Sequence, residues 1–178
     1  MSRRLWKSVA VVLAVIAAAA FFQKFIADKS ATGMLLVPAP VATIGSGEEA
    51  IAVAANGVVV PWWPLPDEPE LPQLPSTELP KGGRFAGPML QQVRILGAAP
   101  EALRPYLAGS RYGESGVDVE TTAGIELRFG DASQAERKWK AAAAILADPE
   151  ITALDYVNVI APARLSYGGS GHTLPPPG

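Results

Sequence analysis

Residues 125–162, IELRFGDASQAERKWKAAAAILADPEITALDYVNVIAP, constrain the fold most, because every boundary within them is marked. Ile125, Leu127 and Phe129 alternate with Glu126 and Arg128, the period of a strand with one apolar and one charged face. Gly130 and Asp131 break that strand. Ser133 stands three residues before Glu136, the spacing of a capping box, and predicts a helix over residues 134–147. Ala135, Trp139, Ala142 and Leu146 form one apolar stripe on it, so Trp139 is expected in the core. Arg137, Lys138 and Lys140 fall off the stripe and are expected in solvent. Asp148-Pro149 ends the helix, since a residue before proline disfavours the αR region. A second strand is expected over residues 153–160, rich in β-branched and aromatic side chains, and Pro162 limits it.

The N-terminus follows another logic. Arg3, Arg4 and Lys7 precede an apolar run from Val9 to Phe22. From Leu5 to Ile26, with Lys7 and Lys24 snorkelling, the run makes about 33 Å of helix against a hydrocarbon core of roughly 30 Å. Ala17 to Ala20 offer signal-peptidase sites, but Phe21 and Phe22 follow directly, which favours an uncleaved signal-anchor. The leading basic residues put the N-terminus in the cytoplasm and the rest of the chain outside it. The expected division is therefore a cytoplasmic tip and transmembrane helix over 1–29, a linker over 30–46, an extracytoplasmic domain over 47–167 and a disordered tail over 168–178.

Within the domain, Asn56-Gly57 separates two apolar runs and predicts a hairpin with a type I′ turn. Residues 61–80 hold seven prolines and the acidic run Asp67, Glu68 and Glu70, and read as an extended surface segment or polyproline-like connector. A short helix is expected over Gly87–Leu96 and a brief turn from Pro100 to Leu107. Val117–Thr121 and Ile125–Phe129 make a second hairpin, and Arg164–Tyr167 a last short strand. Hairpin-paired strands with a helix on one face read as α+β, a small, mostly antiparallel sheet carrying a long capped helix.

Several kinds of chemistry are missing. The chain has no Cys, which excludes thiol catalysis and a disulfide framework. Its formal net charge of −2 offers no basic patch for nucleic acid. The single His, His172, lies in a Gly/Pro-rich tail, so no Ser/His/Asp set can be assembled. Gly45-Ser46-Gly47 lacks the Lys of a phosphate loop. Asp118, Glu120, Glu126, Asp131 and Asp155 are scattered over strands and turns, and only a glycosidase-like pair drawn from them would be catalytic. The expectation is a protein without enzymatic activity, cofactor, metal or small-molecule substrate. Trp62-Trp63 either cover the core edge, lie at a membrane interface or dock a partner.

The order of elements resembles the FtsQ/DivIB family of bacterial division proteins. The matching parts are the basic tip and anchor, the Ala50–Val60 hairpin, the proline stretch to Leu79-Pro80, the helix near Met89–Leu96, the Val117–Thr121 strand, IELRFG, the helix bearing Lys138, and Leu154-Asp155 opening a strand closed at Pro162. Members commonly carry a Lys near the place of Lys138. The resemblance spans Ile44 to Tyr167. It departs where members place a POTRA domain, since only a short stretch separates Ile26 from Ile44, and where they carry an Arg-Pro before the first hairpin strand. The resemblance implies a single-pass inner-membrane scaffold at the division septum that binds FtsB/FtsL-like proteins by adding a partner strand to its sheet. It implies contacts at Tyr156, Asn158, Arg164, Leu165 and Tyr167. The alternative is an accessory subunit of an export or pilus machine docking through Trp62-Trp63. A hydrolase using Glu126 and Asp155 is the third reading.

Overall fold

Alternation of apolar residues builds two sheets, and a proline-flanked residue sets where they meet. A computed structural model describes residues 39–65, 71–76 and 78–174. The expected anchor, most of the linker and the acidic run at 67–70 lie outside the described residues. Among the described residues no helix is long and apolar enough to cross a membrane.

Pro40–Ile44 (β1), Ile51–Ala54 (β2) and Val59–Val60 (β3) form an antiparallel sheet in chain order. Leu107–Gly113 (β4), Gly116–Thr121 (β5), Glu126–Gly130 (β6), Ala153–Asn158 (β7) and Ser166–Thr173 (β8) form a five-stranded sheet, also in chain order. Only β6 and β7 are parallel, and the crossover such a pair requires is the helix Ala135–Leu146 (α2). The helix Gly87–Gly97 (α1) packs on β1, β4 and β5. The class is α+β, with mostly antiparallel strands.

β1 lies in the stretch expected to be linker, and four of its five residues are buried. Residues 61–80 also depart from expectation. Gln73 bridges Thr43 of β1 and Gly109 of β4 in parallel, joining the two sheets edge to edge. Thr43 N–H donates to Pro72 O at 3.0 Å and Leu74 N–H to Thr43 O at 2.8 Å. On the other side Gln73 N–H donates to Ala108 O at 3.0 Å, and Ser110 N–H to Gln73 O at 3.3 Å. Pro72 and Pro75 have no N–H to offer a ladder, which keeps this strand to its minimum. Around Gln73 the segment is thus part of a sheet, with Leu74 buried, while residues 61–64, Gln73, Pro75, Glu78 and Leu79 are exposed as expected of a surface connector.

The hairpin at Asn56-Gly57 forms with a different turn. Only Gly57 has positive φ (83°), and its N–H donates to Ala54 O at 2.8 Å. Asn56 instead uses Oδ1 to accept Val58 N–H at 3.0 Å. This is a three-residue loop with glycine in the left-handed position rather than a two-residue I′ turn.

The core centres on α2. Trp139 is fully buried, packs on Phe129 with ring centroids 4.6 Å apart, and donates its indole N–H to Ile95 O at 2.7 Å. The helix is not capped as its spacing predicts. It starts from Gln134 in a left-handed conformation (φ 53°), with no side-chain cap bond. Ser133 donates its hydroxyl to Asp131 Oδ1 at 2.6 Å instead.

Lys138 is 2% exposed rather than solvated. Its ammonium donates to Phe129 O, Asp131 O and Asp131 Oδ1, each at 2.9 Å. It sits on the margin of the Ala135–Ala142 stripe, where a long side chain can turn inward toward the end of β6. These donors, led by Lys138 and then Ser133, hold the Asp131 carboxyl down to about 2, against an ordinary 3.8. A depressed carboxylate stabilises the fold above its unfolded value and loses that contribution as pH falls through the folded one. The melting temperature of the wild type should therefore exceed that of Asp131→Asn by a constant margin above pH 5. That margin should close between pH 4 and 2. A margin still constant at pH 2 would show that the charge on Asp131 contributes nothing.

Candidate functional site

The sheet has one helix-covered face and one open face, and β6 dictates both by alternation. On the open face Arg111 pairs with Asp118 at 3.5 Å and also with Glu126, and Arg128 pairs with Glu126 at 2.5 Å. The bond from Arg128 leads in pulling the Glu126 carboxyl below its usual range. Burial, then the charge of Glu126, pushes Asp118 up. Beside them an open groove of about 450 Å³ is lined by Gln73, Ser110, Arg111, Asp118 and Glu120 among others. Of its carboxylates, Asp118 is paired with Arg111, while Glu120 has no ion pair among the described residues. The Ser110 hydroxyl in its lining is committed to Gln92 Oε1 at 2.9 Å. Asp155 does not meet Glu126: its Oδ1 accepts Gly171 N–H at 2.7 Å. Among the described residues no group of three His, Asp or Glu could hold a metal ion.

The five residues expected to touch a partner separate into two groups. Tyr156 and Asn158 lie in β7, which is paired on both sides, so neither is at an edge. Tyr156 carries the Arg128 guanidinium 4.4 Å above its ring. Asn158 accepts Ile160 N–H through Oδ1 at 3.1 Å. Arg164, Leu165 and Tyr167 lie together at the turn into β8 and on its first residues. Arg164 is exposed, and its N–H closes the turn on Ala161 O at 2.8 Å. Leu165 and Tyr167 are 37% and 47% exposed. Ile160, 40% exposed two residues past the end of β7, was not singled out by the sequence, yet it sits in the same connection.

The strand order makes β8 an edge, and among the described residues nothing pairs along its outer side. Its polarity follows from one bond. Val159 N–H donates to Arg128 O at 2.9 Å, so Val157 and Val159 face β6 and the intervening Tyr156 and Asn158 turn their backbone groups to β8. Those residues stand opposite Gly168 and Ser166, and Val157 stands opposite Tyr167. By alternation Tyr167 therefore points its N–H and C=O outward. Its side chain shares the helix-covered face with buried Val157.

The expected disordered tail is thus half strand, since β8 runs to Thr173. Trp62 and Trp63 follow β3 and belong to no core cluster; Trp62 is 68% exposed. No protein-family model and no curated protein matches the chain.

Proposed function

We propose that the protein is a membrane-anchored, non-enzymatic scaffold of the bacterial division machinery, of the FtsQ/DivIB kind, that binds an FtsB/FtsL-like partner by strand addition to β8. The observation that carries the reading is the open outer side of β8, with the main-chain donor and acceptor of Tyr167 turned to it beside exposed Leu165 and Ile160. An unpaired edge is a template for an extended segment, whose backbone supplies affinity while neighbouring side chains select it. The buried Lys138, near the place where members carry a lysine, and the empty catalytic inventory support the same reading. In this view the basic tip and apolar run hold the domain outside the inner membrane at the septum, and Tyr156 and Asn158 brace the edge from within.

Tyr167→Pro is the direct test. Proline is tolerated at an edge position whose N–H faces solvent, so the β7–β8 ladder should survive. The partner loses one main-chain bond and the apolar contact of Tyr167, which together should weaken association at least tenfold, or about 1.4 kcal/mol and more. Co-purification of the membrane-extracted complex and mid-cell localisation are the readouts, with melting as the control for folding. Unchanged binding by a folded Tyr167→Pro protein would remove the edge from the mechanism. The second reading, an accessory subunit of another envelope complex, draws on exposed Trp62: there Trp62→Ser and not Tyr167→Pro should break assembly, without septal localisation.

A further inference from the structure

The open side of β8 is not continuous. Between the pairs Tyr156↔Gly168 and Leu154↔His172, three residues of β8 stand against the single Asp155. Gly169, Ser170 and Gly171 therefore bow out of the ladder as a special bulge of three residues against one. Asp155 fills the bow, and its carboxylate takes Gly171 N–H at 2.7 Å. Glycine is required at 169, and at 171 for as long as the carboxylate holds its place. A Cβ on Gly169 (φ 93°) would collide with Asp155, and one on Gly171 would lie 2.5 Å from Asp155 Oδ1.

Two consequences reach the outer rim. By the alternation that turns His172 toward β7, Gly171 is a residue whose N–H would otherwise face the rim, and Asp155 has taken it. The register also breaks: six residues separate Tyr167 from Thr173 on β8, while four separate their partners Val157 and Ala153 on β7. A straight strand in register with Tyr167 is out of register by Thr173.

Resting on the strand-addition reading, we propose that the Asp155–Gly171 clasp is a stop that confines the incoming strand to the Leu165–Gly168 end of β8. The partner it fits is a short extended segment with an apolar side chain on the Tyr167 face, seated beside Leu165 and Ile160. Past the bulge the partner leaves the sheet. Asp155 acts here as a positioning residue, through the backbone of β8 and without touching the partner.

The test places a photoreactive phenylalanine analogue at position 165, 167, 170 or 173 of the full chain in its native membrane. In the wild type, cross-linking to one partner species should be at least about tenfold stronger at 165 and 167 than at 170 and 173, the discrimination of one or two main-chain bonds. With Asp155→Ala, yields at 170 and 173 should rise toward that at 167. Asp155→Asn keeps an oxygen acceptor and should restore the confined pattern, and melting curves verify that each variant is folded. Equal yields along β8 in the wild type would overturn the stop while leaving strand addition in place. A confined pattern that Asp155→Ala leaves unchanged would overturn the role of the clasp. No cross-link at any of the four positions would instead sink strand addition at β8, and the stop with it.

Discussion

Trp139→Ala should lower stability by about 3–5 kcal/mol, the range for deleting a buried aromatic ring from a packed core. Trp139 sits where three elements meet. Its ring packs on Phe129 of β6, its own backbone belongs to α2, and its indole N–H bonds Ile95 of α1. Alanine removes the filling of that junction and leaves the Ile95 carbonyl without a donor. At roughly 3 °C per kcal/mol for a chain of this size, the melting temperature should fall by about 9–15 °C. Trp139→Phe separates the two contributions in part, because it keeps one aromatic ring and loses the N–H together with the second ring. It should cost about 1–3 kcal/mol, the penalty of one buried acceptor left unsatisfied plus a small void. Urea unfolding with an unchanged slope would confirm that only stability has moved. A Trp139→Ala protein melting within 2 °C of the wild type would mean that the α1–α2–β6 junction is not where the stability of the domain resides.

The second large effect is expected at Lys138. Lys138→Met keeps the length of the side chain and removes the ammonium, leaving the carbonyls of Phe129 and Asp131 without their donor. Each such acceptor costs about 1–3 kcal/mol where it is buried, so a loss of about 2–4 kcal/mol is expected. The Asp131 carboxylate adds a smaller part than the two carbonyls, because its side chain is 63% exposed and water replaces much of what the lysine supplies. Lys138→Arg should not rescue, since the planar guanidinium cannot direct its donors at three oxygens clustered around one point. Calorimetric melts of the three proteins decide the matter. Full stability in Lys138→Met would show the buried ammonium to be dispensable.

Both sites show where reading the sequence succeeds and where it stops. The boundaries of α2 and the burial of Trp139 were legible, because proline, glycine and the 3.6-residue stripe act locally. Lys138 was misplaced because residue type argues for solvent, while its position on the stripe margin, three residues after Ala135 and four before Ala142, argues for the core. The capping box was misread because Asp131, two residues away, competes for the Ser133 hydroxyl. β4 and β8 carry little signal of their own. Leu107–Gly113 has only Leu107 and Ser110 buried, and Ser166–Thr173 has no buried residue. They are strands because neighbours offer them ladders. The same cause divides the candidate site. Leu165 and Tyr167 could be found as apolar residues after Pro162, but that Tyr156 and Asn158 lie one strand inside the edge depends on β8 itself. The bulge could be suspected only from GGSG so close after a strand carrying Asp155.

The Gln73 seam bears on the order in which the molecule assembles. It closes two loops, of 30 residues back to Thr43 and 36 onward to Gly109, for a single residue of strand. Loop closure of that length is an entropic cost set against only four main-chain bonds, so the seam has nothing to nucleate on until β1 and β4 each stand in a formed sheet. The two sheets share one core and α1 packs on both, so Pro72–Leu74 is expected to be the thread drawn between them last, after that shared core has formed.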